Sequence, residues 1–289
     1  MSSDRAHEPD RTSDRTSGTA APSARSGGFI GNLRNLGPGL LVAAAFLGPG
    51  TITTASTAGA DLGFQLLWAL AFGVLAAMVL QEMNARLGVV TRAGLGEALR
   101  TTFDSTAMKT VAAVLVISAI GVGGAAFEAG NLTGAALGIE AILPLSQGLW
   151  AAVAGAIAAA LLWSGVYRAI ERTLIGLVVV MSIVFLVTAI IVRPDVGGLV
   201  AGFVPTMPSG ALLTVVALVG TTVVPYNFFL HASSVKEKWD ASVPADQALS
   251  GARFDTTFSI GIGGLVTLAV LTTARPRSSA PARPSPTPG

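Results

Sequence analysis

Seven apolar runs, separated by short polar connections, occupy most of the chain between residues 36 and 273. A helix needs roughly 20 mostly apolar residues to cross a bilayer, and within the hydrocarbon only helices and closed barrels satisfy their backbone hydrogen bonds. The runs are 36–60, 64–87, 111–137, 149–166, 174–192, 211–233 and 257–273. They predict an all-α multi-pass membrane protein with about seven transmembrane helices.

The composition excludes several other classes of protein. Charged residues make up only 12% of the 289 residues, whereas a soluble domain carries about 25%. A net charge of +2 offers no basic surface for a nucleic acid. The chain has no cysteine, which excludes disulfides, thiolate metal sites and cysteine nucleophiles. Phosphate-binding loops and HExxH zinc motifs are absent from the sequence, so we predict neither an enzyme nor a resident cofactor.

Two polar segments flank the apolar part of the chain. Residues 1–30 are rich in Ser, Thr, Arg and Asp and contain no apolar run, which predicts a disordered tail. Residues 31–274 form the predicted transmembrane domain. Residues 275–289 hold five of the 15 prolines and are either a natural low-complexity tail or the result of a truncation. The abrupt change of composition favours truncation.

The positions of Lys and Arg predict the orientation, because cytoplasmic loops retain positive charge. With the N-terminus inside, fourteen Lys and Arg lie on the cytoplasmic side and only Arg193 lies in the outer loops between spans. Arg275, Arg277 and Arg283 follow the seventh span and break this rule. We therefore expect a multi-pass protein of the cell membrane with a cytoplasmic N-terminus.

Helix breakers interrupt the first and the sixth apolar runs. Gly48, Pro49 and Gly50 precede a segment rich in hydroxyl side chains, and Pro225 precedes Tyr226 and Asn227 in the sixth run. Paired breaks in two halves of a chain point to a transporter site near the midplane, although Gly and Pro in membrane helices also mark simple kinks or close packing. Free carbonyls at a break bind cations and helix N-termini attract anions, so the breaks alone leave the sign of the substrate open.

Four ionisable side chains within the apolar runs are candidates for a functional or structural role. Glu128 in the third run is a candidate proton or cation site, with a structural hydrogen bond as the alternative, and Asn131 lies one helical turn away. His231 follows the sixth-run break and either titrates near neutral pH or is satisfied by a neighbouring helix. Glu82 and Arg86 have the spacing of an interfacial ion pair on one helix.

Three stretches of the sequence are distinctive: GPGLLVAAAFLGPGTITTASTAGADLGFQLLWAL, LQEMNARLGVVTRAGLGEALR and ALVGTTVVPYNFFLHAS. In their order and spacing they resemble the Nramp family of divalent metal transporters. The resemblance covers residues 36 to about 273. It implies a LeuT-type fold of ten or more spans in two inverted repeats, of which this chain holds the first repeat and two helices of the second. It also implies proton-coupled uptake of manganese, iron or similar ions.

The resemblance places the site at the two breaks, where this sequence departs from the family. The family's Asp-Pro-Gly-Asn corresponds to residues 48–51, and its Met-Pro-His corresponds to residues 224–226. The substrate-binding positions it implies are Ala45, Gly48, Gly50, Thr51, Thr221, Val224, Tyr226 and Asn227. Oxygen atoms of Ala45, Thr51 and Thr221 are the candidate metal ligands, and Glu128 and His231 are the candidate proton pathway.

Three hypotheses follow from the sequence. The first is a proton-coupled transporter of divalent metal ions with altered selectivity, because the family's first-helix carboxylate and sixth-helix thioether are missing. The second is a carrier of amino acids or other organic solutes with the same broken-helix fold. The third is an inactive, truncated membrane fragment. The expected partners are a divalent metal ion, protons and the lipid bilayer, with no nucleic acid and no protein partner.

Overall fold

A computed structural model of the chain describes residues 36–165, 167–239 and 242–274, and within these residues all regular structure is helical. The predicted tails 1–30 and 275–289 lie outside them. The helices are α1 (Pro38–Phe46), α2 (Pro49–Leu62), α3 (Leu67–Thr91), α4 (Leu95–Thr102), α5 (Thr106–Glu140), α6 (Gln147–Trp163), α7 (Tyr167–Val192), α8 (Val196–Gly202), α9 (Leu212–Thr222), α10 (Pro225–Lys238) and α11 (Ala245–Thr273).

Six of the seven predicted spans are long and apolar enough to cross a membrane within the described residues. Five are continuous by this test, α9 and α10 counting as one span, and the sixth is the pair α1 and α2, bent by 56°. The remaining predicted span, the fourth run 149–166, forms α6, which has only 17 residues, or about 25 Å of helix. Gly165, with φ 69°, turns the chain after α6 and explains its early end.

Helix α11 lies at the centre of the bundle and packs against α1, α2, α3 and α7. Small residues allow this close approach: Gly263 faces the Phe46 ring and Gly264 faces Val74. The helix begins at Ala245, twelve residues before the predicted span; its first three residues are exposed, and Ala248 is the first buried one. In contrast, α5, α6 and α7 expose many large aliphatic side chains, as expected of a surface that faces lipid.

Charged side chains connect helix ends on one side of the bundle. Lys236 at the end of α10 donates to Glu97 of α4 at 2.9 Å, and Arg253 of α11 donates to Glu82 of α3 at 2.6 Å. The partner of Glu82 is therefore on another helix, and the predicted pairing with Arg86 on the same helix is not the one that the structure records. The Arg92 guanidinium donates to the carbonyl of Trp239 and ties α3 to the end of α10.

Candidate functional site at two helix breaks

The first break separates α1 from α2 and follows directly from the local sequence. Helix α1 ends at Phe46, Gly48 adopts an extended conformation with ψ 173°, and Pro49 occupies the first position of α2. Proline lacks an N–H group and its fixed φ suits the first residue of a helix, so a new helix begins there while the old one cannot continue. The predicted interruption is confirmed.

The second break, between α9 and α10, is built in the same way. Helix α9 ends at Thr222, Val224 is extended with φ −96° and ψ 121°, and Pro225 is the first residue of α10. The last carbonyls of a helix have no intrahelical partner. The carbonyls of Ala45 in α1 and Thr221 in α9 belong to these last turns, so both predicted backbone ligands lie at a break.

The two breaks meet in the folded chain. Phe46 and Leu47 from the first break and Val224 from the second are buried in one apolar cluster. Helix α5 contacts both, because Phe127 packs its ring edge on Tyr226 at 5.8 Å between centroids while Asn131 reaches Gly50. The predicted site residues of the first and sixth runs are thus brought to one region.

Polar contacts at the first break come from α2 and α5. The Thr51 hydroxyl donates to the carbonyl of Phe46 at 2.5 Å and bridges the break. The Gly50 N–H donates to Oδ1 of Asn131 at 3.0 Å. A Cβ atom at Gly134 would lie 2.6 Å from the carbonyl oxygen of Pro49, so only glycine at this position allows α5 to approach α2 so closely.

The second break offers hydroxyl and amide groups. The half-buried Thr221 donates its hydroxyl proton to the carbonyl of Leu218 at 3.0 Å. Asn227 is 1% exposed, and both polar atoms of its side chain lack a hydrogen-bond partner among the described residues. A buried amide in this condition costs about 1–3 kcal/mol. Asn227 is therefore a polar group that a ligand or a water molecule at the break would satisfy.

The two residues of the predicted proton pathway lie in different places. Glu128 lies on an exposed face of α5 and accepts a hydrogen bond from Nδ2 of Asn131 at 3.2 Å, close to the first break. His231 is fully buried among α3, α10 and α11, where Nδ1 lies 2.8 Å from Oε1 of Gln81 and Nε2 lies 3.3 Å from the hydroxyl of Thr256. The hydrogen bonds of His231 lead away from the breaks.

The sequence reasoning missed several polar residues around the site. Gln81 and Thr256 surround His231, and the buried Asp255 accepts hydrogen bonds from the N–H groups of Gly37 and Gly39. Gln81 and Asn84 interrupt one apolar run and are indications of a polar interior. Within the described residues no three His, Asp or Glu side chains form a metal site.

The apolar bundle and the two breaks that meet in it define a multi-pass membrane protein with the broken-helix architecture of secondary transporters. The model of the Nramp family, described as natural resistance-associated macrophage protein-like, matches residues 39–276. The chain therefore belongs to the Nramp family.

Curated relatives and solved structures agree with this assignment. The chain is 28% identical to a divalent metal cation transporter, MntH, of Klebsiella pneumoniae. The alignment of 268 residues covers 91% of this chain and 62% of that protein. MntH of Erwinia tasmaniensis is 28% identical over 243 residues, covering 83% of this chain and 57% of that protein. The chain spans about 60% of the length of these relatives.

The fold matches that of a manganese transporter of Eremococcus coleocola, solved with an aromatic bis-isothiourea substituted compound. The TM-score is 0.67 at 23% identity, covering 87% of this chain and 53% of that one. A point mutant of the same transporter gives a TM-score of 0.67 at 25% identity, covering 90% and 55%. The predicted LeuT-type fold is confirmed, and the relatives are named as transporters, in agreement with the prediction that the chain is not an enzyme.

Proposed function

We propose that the chain moves divalent metal ions across the cell membrane as a proton-coupled secondary transporter of the Nramp type, with a selectivity shifted towards hard ions. The observation that carries the proposal is the meeting of the two breaks in one buried apolar cluster, with the last helical carbonyls and the hydroxyls of Thr51 and Thr221 beside them. Such oxygens replace the water ligands of a cation at a discontinuous helix.

The contacts at the first break favour a cation over an organic carboxylate. A substrate carboxylate binds at the N–H groups of a half-helix N-terminus. At α2, Pro49 has no N–H group, and the N–H of Gly50 is already engaged by Asn131. Fewer free N–H groups are therefore left at the N-terminus of α2 to bind the carboxylate of an amino acid.

The ligand types support the shift in selectivity. Thioether sulfur favours softer transition metals, whereas carbonyl and carboxylate oxygen suit Mg²⁺, Ca²⁺ and Mn²⁺. Where the family has methionine, this chain has Val224, which is 1% exposed and packed in the apolar cluster. The remaining polar groups near the breaks bear oxygen or nitrogen: Thr51, Thr221, Asn227, Asn131 and Glu128.

The surroundings of His231 support a role in proton transfer. The Thr256 hydroxyl donates its proton to the carbonyl of Ala252 at 2.7 Å, so it offers a lone pair to Nε2 of His231. Oε1 of Gln81 offers another acceptor to Nδ1. Both ring nitrogens of the buried imidazole therefore have a polar neighbour with which a proton can be exchanged. Glu128, beside the first break, is the second proposed proton carrier.

Uptake by the purified chain in proteoliposomes tests the proposal. We expect Mn²⁺ and Mg²⁺ to enter vesicles, and uptake to fall at least about tenfold in Thr51→Val, which removes the hydroxyl that bridges the first break. Thr51→Ser keeps that hydroxyl and should retain uptake. Thr110→Ala, which removes an exposed hydroxyl at the start of α5, is the control for losses during purification and reconstitution, and it should retain uptake.

Two other outcomes would contradict the proposal. Competition by amino acids with no effect of either metal would favour the organic-solute carrier. Failure of the chain to give a monodisperse protein or any uptake would favour the inactive fragment.

A further inference from the structure

The space that a side chain at residue 48 would fill is occupied by Asn131 of α5. A Cβ atom built on Gly48 would lie 2.5 Å from Oδ1 of Asn131, and one built on Gly50 would lie 3.0 Å from the same oxygen. Contacts under 3.0 Å are essentially never made by real Cβ atoms. A side chain at residue 48 and the present position of Asn131 therefore exclude each other.

The orientation of the Asn131 amide is determined by a donor on one side and an acceptor on the other. Oδ1 accepts from the N–H of Gly50 at 3.0 Å, and Nδ2 donates to Oε2 of Glu128 at 3.2 Å. An amide oxygen has two lone pairs, and Gly50 uses one of them. The second remains as an acceptor position at the first break.

The same helix, α5, also places a carboxylate, that of Glu128, near the first break. Glu128 lies one turn from Asn131 on an otherwise apolar segment of α5, and the neighbouring Phe127 contacts Tyr226 at the second break. The buried and unpartnered amide of Asn227 follows Tyr226 directly. Helix α5 thus presents an amide and a carboxylate beside two breaks whose own side chains carry no charge.

We propose that Asn131 is a ligand of the transported divalent cation, its amide oxygen standing where a residue-48 side chain would be, with Glu128 supplying the negative charge. This inference rests on the proposed function of divalent metal transport. The ion is expected to be an oxygen-preferring divalent cation such as Mg²⁺ or Mn²⁺, because the metal-ligating atoms proposed for Asn131 and Glu128 are oxygen atoms.

Calorimetric titration of the full 289-residue chain in detergent with MnCl₂ or MgCl₂ alone tests the assignment. Asn131→Ala should weaken binding of both ions by about tenfold or more. The matched control is Thr133→Ala on the same helix, where the exposed hydroxyl bonds only to the preceding turn at Ala129. Equal affinities of the unaltered chain and Asn131→Ala would overturn the assignment.

A pair of compensating variants keeps the test valid if Asn131→Ala proves unstable. Gly48→Asp alone should lose binding, because its side chain collides with Asn131. Gly48→Asp combined with Asn131→Ala should regain binding, since the carboxylate then enters the vacated space. Independent, additive effects of the two changes would overturn the shared position. If the unaltered chain binds neither ion, the proposed function fails; if it binds both ions and Asn131→Ala binds equally well, only the role of Asn131 fails.

Discussion

Asp255 of α11 is a buried acidic residue whose hydrogen bonds hold the first helix of the bundle. Its carboxylate is 2% exposed and accepts hydrogen bonds from the N–H groups of Gly37 and Gly39, 218 and 216 residues away in sequence. These groups lie at the N-terminus of α1, where the helix dipole favours negative charge. Lys238 lies 3.8 Å from the same carboxylate. Asp255 therefore joins the start of α1 to α11.

Replacing Asp255 by alanine is expected to destabilise the protein. The N–H groups at the start of α1 would lose their acceptor inside the protein, at a cost of about 1–3 kcal/mol in the free energy of unfolding. Denaturant titration in mixed micelles measures this change. Asp104→Ala, in an exposed connection, should leave the free energy unchanged, and equal unfolding midpoints for both variants would refute the role of Asp255.

Residue-level chemistry was predictable from the sequence only where it was local. The breaks at Pro49 and Pro225 were found because proline acts on its own helix. Asp255 lies in a predicted connection, and its N–H partners at the start of α1 are 218 and 216 residues away. The Glu82–Arg86 pairing was wrong for the same reason, since Glu82 binds Arg253, 171 residues away. Helical spacing permits a pair but does not exclude a better one from another helix.

At the scale of elements, the packing of α2 on α11 depends on one small residue. A Cβ atom at Gly59 would lie 2.1 Å from the carbonyl oxygen of Leu271. This neighbour is backbone of the central helix and cannot rotate away. The two helices therefore approach each other only as long as residue 59 is glycine.

Gly59→Ala should consequently lower the free energy of unfolding by about 1–3 kcal/mol, because overpacking forces the helices apart. Gly121→Ala is the matched control on α5, where nothing lies within 4 Å of the added carbon, and it should be neutral or slightly stabilising because alanine favours helix. Thermal unfolding in detergent compares the two variants. A Gly59→Ala variant as stable as Gly121→Ala would contradict this account of the packing.

Helix α4, outside the membrane spans, is attached through a titrating group. The hydrogen bond from Lys236 lowers the pKa of Glu97 below its ordinary value of 4.5, helped by the N–H of Gly94 and the Lys236 charge. A carboxyl whose pKa is lower in the folded state stabilises the fold above the unfolded value, and this contribution is lost as the pH falls through the folded value.

We therefore expect α4 to loosen in acid, below the ordinary glutamate pKa of 4.5. Hydrogen exchange of peptides covering Leu95–Thr102, corrected for the intrinsic exchange rate, measures this loosening. Glu97→Gln should show faster exchange already at neutral pH and no further acid effect. An unchanged pH dependence in Glu97→Gln would show that another group controls the helix.

The elements themselves were largely predictable, because every apolar run became helix. The exceptions have physical causes. Helix α11 begins among charged residues, Asp246 and Arg253, which no apolar run reveals. The short α8 lies in a predicted outer loop and begins where the Asp195 carboxylate accepts from the N–H groups of Gly197 and Gly198. Asp195 is a recognisable N-cap residue in the sequence, but it was missed because helices were predicted only from apolar runs.

For the whole molecule, the distribution of charge separates two ends of the bundle. The ion pairs Lys236–Glu97 and Arg253–Glu82 connect the end of α3, α4, the end of α10 and the first part of α11. These segments are the ones that the Lys and Arg distribution assigns to the cytoplasm. Their contact in the fold places these segments at one end of the bundle, and the cytoplasmic location of that end and of the N-terminus stays a prediction.

Single cysteines provide a background-free test of this orientation, because the chain contains none. Ser105, Ser146 and Ser209 are exposed, and the first two precede helices without making a side-chain cap. With the N-terminus inside, a membrane-impermeant maleimide added to intact cells should label Ser146→Cys and Ser209→Cys and spare Ser105→Cys. Permeabilised cells should give labelling of all three variants. The opposite pattern in intact cells would place the N-terminus outside, and the charged end of the bundle with it.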